Sequence, residues 1–297
     1  MPIRIGTSER GGTFFTQGEA LQAVLEAEPA LRPVMALETQ GASIANAARL
    51  HARAIEFGFM AANWVPRALR GEPPFTRPIA LRVVAPMNVG PLFFIAHADS
   101  GINRVADLAG RRVVFGPERS GMAQHARVML DALGVRNVRP VHLDFAAGAA
   151  ALEAGKADAQ LQCPVPNAVM TALSQRILVR VLPYGAGELE RLLAAIPYYR
   201  ATVMPRGAIR GLDADLRQAG VLNLLVTHAR IEARVVAAVA RAIATNAAAL
   251  GRLNPLFSGL DALVREVRRD GGSALVIGGA EFHPGAADAY HALGPTP

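Results

Sequence analysis

The chain has 297 residues, of which 52% are hydrophobic and 19% are charged, a composition sufficient for two modest lobes with separate cores. No run of about 18 apolar residues lacks a charge or a breaker, which argues against a membrane span. The formal net charge of +7 does not indicate nucleic-acid binding, because the only basic doublets, Arg111-Arg112 and Arg268-Arg269, lie far apart without interleaved aromatic residues.

The metal-binding and redox-active residue types form no recognisable pattern. Cys163 is the only cysteine, which excludes an internal disulfide and a cysteine-based zinc cluster. The seven histidines show no metal-binding spacing. We therefore expect neither a metal nor another cofactor.

The first residues bear on the compartment. The sequence opens with MPIRI, which is typical of a first core strand, and no charged leader or apolar segment precedes it. Two interpretations follow: a secretory leader has been removed and the protein is periplasmic, or Met1 is the native start and the protein is cytosolic.

Along the chain, short apolar runs alternate with Ala-rich stretches of helical period. This pattern is typical of βαβ units around mostly parallel sheets, so the predicted fold class is α/β. Strands are predicted over 2–7, 33–38, 55–60, 79–85, 92–97, 111–115, 138–142, 157–162, 177–181 and 221–227. Helices are predicted over 13–27, 43–53, 120–133, 148–155, 167–174 and 231–250, with further helical segments to the C-terminus.

The order of these elements indicates two βα modules joined without a long linker. We expect one lobe from residues 1–90 and 222–297 and a second from 91–221. Ligands of such folds bind at the carboxyl ends of the strands, in the cleft between the lobes.

Three loops have the residues needed to hold a small anion. Segment 6–15, GTSERGGTFF, joins a strand to a helix, so its glycines can bring backbone N–H groups and a helix N-terminus to an anion. Segment 115–122, FGPERSGM, repeats the arrangement in the second lobe. Ser43 is expected to cap the helix after segment 39–42. An ordinary strand-to-helix turn explains each loop equally well.

The remaining candidates each have an alternative interpretation. Asn63 and Trp64 follow the third predicted strand, where a cleft wall is expected, but the single Trp is equally compatible with core packing. Cys163 precedes Pro164 and is either a cleft residue or a small buried filler.

The order of these motifs resembles the TAXI-type solute receptors of the tripartite ATP-independent periplasmic (TRAP) transporters, over nearly the whole chain. Two segments depart from that family's pattern: residues 8–10 are Ser-Glu-Arg instead of Gly-Gly-Thr, and residues 61–63 are Ala-Ala-Asn instead of Gln-Ser-Asp. The matching segments are 5–7 (IGT), 11–15 (GGTFF), 39–46 (TQGASIAN), 99–102 (DSGI), 107–113 (DLAGRRV), 120–122 (SGM), 152–159 (LEAGKADA), 197–199 (PYY) and 283–286 (HPGA).

The resemblance implies a two-lobed type II periplasmic-binding-protein fold with an inter-lobe ligand cleft. It further implies a non-enzymatic receptor that closes around a carboxylate or amino acid and delivers it to membrane subunits of a TRAP transporter. Glu9 and Arg10 are either ligand contacts or a solvated charge pair. The residues expected to contact the ligand are Thr7, Arg10, Gly12, Thr13, Phe14, Ser43, Asn63, Trp64, Ser120, Gly121, Met122 and Cys163.

Two other functional classes remain open at this point. A cytosolic enzyme on the same fold would explain the missing leader, but the chain has no nucleophile elbow, HExxH motif or paired-carboxylate motif. A ligand-sensing module that signals to a partner would use the same binding loops.

Overall fold

The computed structural model describes residues 2–10, 12–118, 120–164, 167–271 and 279–294. Gly11 and Arg119, each within a predicted binding loop, lie outside the described residues. The chain divides into two compact units, Met1–Val89 with Leu222–Pro297 and Gly90–Val221. Below, these are called unit 1 and unit 2.

Unit 1 contains a sheet in the order β2-β1-β3-β10. Strands β1 (Ile3–Gly6), β2 (Val34–Leu37) and β3 (Phe57–Ala61) are parallel, and β10 (Leu216–His228) pairs antiparallel with β3. Their side chains are mostly buried and rich in Ile, Val, Leu and Phe, as expected for strands covered on both faces. The carboxyl ends of β1, β2 and β3 therefore share one sheet edge, which we call the carboxyl edge.

Helices follow each parallel strand of unit 1, as the sequence pattern predicts. They are α1 (Thr13–Glu26), α2 (Ala42–His51) and α3 (Val65–Arg70), and the C-terminal part adds α8 (Ala233–Thr245), α9 (Ala247–Leu253), α10 (Leu260–Asp270) and α11 (Pro284–Leu293). Short 3₁₀ turns occupy Pro29–Leu31, Ala62–Trp64 and Pro255–Phe257.

Unit 2 has its own sheet, in which β7 (Ala159–Gln162) lies between β4 (Leu81–His97) and β5 (Arg112–Val114). Strand β6 (Arg139–Val141) pairs with β5, β8 (Val179–Val181) pairs with β4, and β9 (Tyr199–Met204) pairs with β10. The helices of unit 2 are α4 (Gly121–Ala132), α5 (Phe145–Glu153), α6 (Ala168–Arg176) and α7 (Glu188–Ala195), and Val105–Leu108 forms a 3₁₀ turn.

Two predictions about elements were wrong, and three elements were missed. The two strands predicted over 79–85 and 92–97 are the single strand β4, because proline has a φ angle compatible with extended backbone and Pro86 and Pro91 do not interrupt it. The helix predicted over 231–250 breaks at Asn246, whose side-chain amide donates to the carbonyl oxygen of Ala242 at 2.9 Å and competes with the backbone ladder. Helices α3 and α7 and strand β9 were not predicted at all.

In the described part of the chain, no single helix has both the length and the apolar character needed to cross a membrane. One pair, α8 with α9, meets that requirement only when the two helices are taken together, and they are bent by 68° at their junction.

Candidate functional site

The binding loops predicted in the first lobe lie together at the carboxyl edge of unit 1. The N–H group of Thr39, after β2, donates to the carbonyl oxygen of Ser8, after β1, at 3.2 Å. The N–H group of Gly41 donates to the Glu9 carboxylate at 2.9 Å. The N–H group of Ala61, at the end of β3, donates to the Ser43 hydroxyl at 3.0 Å. Three loops that are distant in sequence thus form one hydrogen-bonded surface.

The β1–α1 loop is held by its own hydroxyl groups. Thr7 is fully buried, and its hydroxyl donates to the carbonyl oxygen of Leu37 at 2.8 Å. The Ser8 hydroxyl accepts from the N–H group of Phe15 at 3.1 Å, which satisfies one of the free donors of the first turn of α1. Gly12 precedes that turn, and Thr13 begins the helix. Thr7 and Ser8 therefore position the start of α1.

Ser43 has a different role from the predicted one. The residue that precedes α2 is Gly41, which adopts a φ angle of 81° in the left-handed region, where glycine is favoured. Ser43 is already inside the helix, and its hydroxyl accepts from Ala61 of β3. The prediction that Ser43 caps the helix was wrong because the tight turn at Gly41 starts the helix earlier.

Two aromatic candidates are packed against protein. The rings of Phe14 and Phe59 stack with centroids 5.4 Å apart. Trp64 makes an edge-to-face contact with Phe75 at 6.5 Å, and the Arg67 guanidinium lies 5.8 Å from its centroid. Trp64 and the neighbouring Asn63 are both buried. Phe14 and Trp64 therefore pack against other protein side chains beside the carboxyl edge.

Arg10 is the exposed cation of this surface, with 76% of its side chain accessible to solvent. Its guanidinium lies 3.8 Å from the Glu38 carboxylate and 5.0 Å from the Phe15 centroid. Glu9 instead accepts from Gly41, so among the described residues the suggested Glu9–Arg10 pair is not formed. An exposed pair of this kind contributes little stability.

We expect Arg10→Ala to change the free energy of unfolding of the ligand-free protein by less than about 1 kcal/mol, because only a screened surface pair and an exposed contact with the Phe15 ring are lost. Thermal denaturation of both proteins measures this. A larger loss would mean that Arg10 holds the loop.

A buried polar chain that the sequence did not reveal lies in unit 1. The Asn88 side-chain oxygen accepts from the amide of Gln17 on α1 at 3.2 Å and from the amide of Asn223 on β10 at 3.1 Å. All three side chains are buried, and the Gln17 oxygen has no partner among the described residues. Buried polar groups without partners are rare. The side-chain oxygen of Gln17 is therefore available as an acceptor for a ligand or for ordered water.

In unit 2, the predicted loop leads into α4. The Ser120 hydroxyl accepts from the N–H group of Ala123 at 3.1 Å and caps the helix, while Gly121 and Met122 form its first turn. Gly116 adopts a φ angle of 94°, so the turn depends on glycine. The loop presents the start of a 12-residue helix, whose dipole favours anions.

The end of β7 provides a second polar group. Gln162 is fully buried; its oxygen accepts from the Asn167 amide at 3.0 Å, and its own amide nitrogen has no partner among the described residues. The next residue, Cys163, is partly exposed as a whole. Its thiol is buried, and this burial raises the pKa of the thiol to about 12. The thiol is therefore protonated and unreactive at neutral pH.

A buried histidine is a further polar group of unit 2. His125 on α4 is 4% exposed, and its Nδ1 lies 2.7 Å from the hydroxyl oxygen of Tyr199. Burial lowers the pKa of His125 to about 4 and raises that of Tyr199. Both groups are uncharged at neutral pH.

The family profile that matches this chain is that of the NMT1-like family, over residues 5–294. The chain belongs to the NMT1-like family.

Three solved structures with a similar fold are named as sulfonate-binding or solute-binding proteins. The aliphatic sulphonate binding protein SsuA from Escherichia coli is 20% identical, with 99% of this chain and 84% of that chain covered and a TM-score of 0.50. A TctC solute binding protein from Polaromonas is 18% identical, with 88% of each chain covered and a TM-score of 0.56. A putative sulfonate-binding SsuA from Methylobacillus flagellatus is 12% identical, with 84% and 69% covered and a TM-score of 0.56. This NMT1-like chain thus has the mixed α/β fold of periplasmic binding proteins.

Within this NMT1-like fold, the predicted site residues fall into two groups. Those of unit 1 meet at its carboxyl edge, whereas Ser120, Gly121, Met122 and Cys163 belong to unit 2. Sequence reasoning missed the polar residues inside secondary structure, although polar side chains within apolar strands were a usable signal at Asn88, Asn223 and Gln162. In the described ranges, no group of three or more His, Cys, Asp or Glu side chains is placed to hold a metal ion.

Proposed function

We propose that the chain is an extracytoplasmic solute-binding protein that captures a small organic anion or amino acid and does not transform it. The observation that carries the proposal is the surface at the carboxyl edge of unit 1, where three loops and the start of α1 converge. In α/β folds, ligands bind at this edge. The family membership and the fold support the same conclusion.

The proposed ligand is a carboxylate, because the available hydrogen-bond donors are mostly neutral. Such donors suit an anion that is bound mainly by hydrogen bonds and only partly by ion pairs. Each unit has such donors of its own. In unit 1 the start of α1 offers N–H groups and Arg10 offers an exposed guanidinium. In unit 2 the start of α4 offers N–H groups and Gln162 offers a buried amide. Sulfonates are the competing class, since two of the similar structures are named for binding them.

A thermal-shift screen tests the proposal with glutamate, four-carbon and five-carbon dicarboxylates and short alkyl sulfonates, each against its uncharged amide. A ligand that binds only the folded state at a hundred times its Kd stabilises it by about 2.7 kcal/mol. We expect at least one carboxylate to raise the Tm while its amide does not. A response to sulfonates alone contradicts the carboxylate assignment, and conversion of the stabilising compound into a product contradicts the non-enzymatic role.

Gln162 is proposed as a ligand donor in unit 2, because its amide nitrogen is buried without a partner. We expect Gln162→Glu to weaken carboxylate binding at least about tenfold, since charge repulsion replaces a donor and each tenfold corresponds to about 1.4 kcal/mol. The variant keeps the acceptor for Asn167. Calorimetric titration measures the change, with the similarly buried Gln218→Glu as a control for a misplaced charge. Equal weakening in both variants would contradict a direct contact.

Arg10 is proposed as the exposed cation that binds the ligand carboxylate. A charge-assisted hydrogen bond in a closed site contributes about 1.5 to 3 kcal/mol, so Arg10→Ala should weaken binding about tenfold or more. Titration of the same carboxylate into both proteins measures this. An unchanged Kd would leave the N–H groups of the helix starts as the anion donors.

The proposed partners are the membrane subunits of a TRAP-type transporter, following the TAXI resemblance. The protein would then act in the periplasm. When it is added to spheroplasts that contain those subunits, the spheroplasts should take up its ligand. Uptake that depends on added protein and on an ion gradient supports this assignment, whereas uptake driven by ATP alone contradicts it.

A further inference from the structure

A second concave surface lies in unit 1, at the opposite edge of its sheet from the binding loops. It is a cavity of about 1000 Å³ formed by residues just before β1, β2 and β3 and just after the antiparallel β10. Because β10 runs in the opposite sense, its end joins the amino ends of the other three strands. Its charged residues are Arg4, Arg32, Arg53, Glu56, Arg230, Glu232 and Arg234, and we call it the arginine groove.

Both carboxylates of the arginine groove are already paired. Glu56 accepts from the Arg4 guanidinium at 2.6 and 3.1 Å and from its backbone N–H at 2.8 Å. Glu232 lies 2.6 Å from Arg234. Among the residues that the structure describes, the other three arginines, Arg32, Arg53 and Arg230, form no ion pair with a carboxylate.

Arg53 and Arg230 are the central pair of these unneutralised cations. Among the described residues, neither takes part in an ion pair. The Arg230 guanidinium is fixed by the carbonyl oxygens of Leu50 and His51, and the Arg53 backbone sits in the left-handed region at a φ of 61°. Burial, and after it the charge of Arg53, lowers the pKa of Arg230. Both residues line the same cavity, so an anion bound there would offset the repulsion between the two like charges.

We propose that the arginine groove binds a phosphate group between Arg53 and Arg230. Arginine forks match the geometry of phosphate oxygens and bind them bidentately. A doubly charged group neutralises both cations, which a single carboxylate does not. Helix α8 begins in the same wall, and its N-terminal dipole adds favourable potential. The site is independent of the proposed solute site.

The phosphate group could be on a soluble molecule or on a lipid headgroup, so the experiment has two arms. Calorimetry with inorganic phosphate at constant ionic strength, against chloride, tests the soluble source, because constant salt removes general screening. Flotation with vesicles of phosphatidylcholine containing phosphatidic acid, against phosphatidylcholine alone, tests the headgroup.

Three variants locate the site. We expect Arg53→Gln and Arg230→Gln each to weaken phosphate binding about tenfold or more, as loss of a charge-assisted bond does. Arg234→Gln, which removes an equal charge from the same groove but one already paired with Glu232, should change the Kd less than about twofold. Arg53 makes no side-chain hydrogen bond to the protein in the described structure, so its variant separates binding from folding.

The outcomes discriminate clearly. Binding in either arm that is lost in Arg53→Gln and kept in Arg234→Gln supports the site and identifies its source. Equal losses in all three variants indicate diffuse attraction and overturn it, as does the absence of binding in both arms. Carboxylate binding at the other edge of the sheet should be the same in all four proteins, so failure here leaves the solute-binding proposal intact.

Discussion

Lowering the pH from 7 to 4 is expected to remove about 3 kcal/mol of folding stability through His125 alone. Burial lowers the pKa of His125 in the folded protein from 6.5 to about 4, and each pKa unit corresponds to about 1.4 kcal/mol. The neutral ring is the form that folds, so its contribution is complete above pH 6.5. It is lost as the pH falls from 6.5 towards 4, where the unfolded chain binds the proton first.

In the described part of the chain, burial alone causes the pKa shift of His125, and no carboxylate contributes to it. Its partner Tyr199 has a pKa that is raised by burial and, after it, by Tyr198, Tyr184 and Cys163. All of these are uncharged in acid. A protonated imidazole would therefore carry the full cost of an unpaired buried charge.

Chemical denaturation at several pH values between 4.5 and 7.5 measures the effect as the difference between wild type and His125→Gln. The wild type should lose stability faster, and the exposed His291→Gln should behave like the wild type. His228 and His283 also have lowered pKa values, but they are present in every variant and cancel in the comparison. Parallel curves for wild type and His125→Gln would refute the prediction.

The sequence predicted the alternating elements well because apolar periodicity is a local property. Strand β1 and helix α1, for example, were predicted to within a residue or two of their observed bounds. Long strands were harder to predict. Pro86, Asn88 and Pro91 look like breakers in sequence, yet β4 continues through them, because strand continuity is decided by neighbours that sequence position does not reveal.

The polar part of the candidate site was predictable only in its loops. Glycine and serine in a strand-to-helix turn signal their backbone role locally, which is why the segments at Gly12 and Ser120 were found. The hydrogen bonds that link Gln17, Asn88 and Asn223 join partners that are 71 and 135 positions apart. Such a pairing depends on tertiary contact alone. Ser43 shows the same limit, since its hydroxyl faces another strand instead of its own helix.

Another set of long-range hydrogen bonds, made by Asn46, predicts a strongly destabilising substitution at the carboxyl edge of unit 1. Asn46 is fully buried on α2, and its amide nitrogen lies 3.1 Å from the carbonyl oxygen of Gly6, 2.8 Å from that of Thr7 and 2.9 Å from that of Phe59. One side chain thus joins the ends of β1 and β3. A Cβ on Gly6 would lie 2.3 Å from the Asn46 side chain, which shows how closely the helix approaches the strand.

We expect Asn46→Ala to lower the free energy of unfolding by about 3 kcal/mol, because buried carbonyl oxygens lose their donor and a cavity remains. Asn46→Asp, which keeps the shape but turns a donor into an acceptor, should cost at least as much. Urea denaturation measures both, with the exposed Asn103→Ala as the matched control at below about 1 kcal/mol. If Asn46→Asp were as stable as wild type, the amide would not be bonding those carbonyl oxygens, and the loops of the proposed solute site would need another support. If instead Asn46→Ala and Asn46→Asp both lose stability and carboxylate affinity while Asn103→Ala loses neither, the amide of Asn46 holds the loops of the carboxyl edge in place.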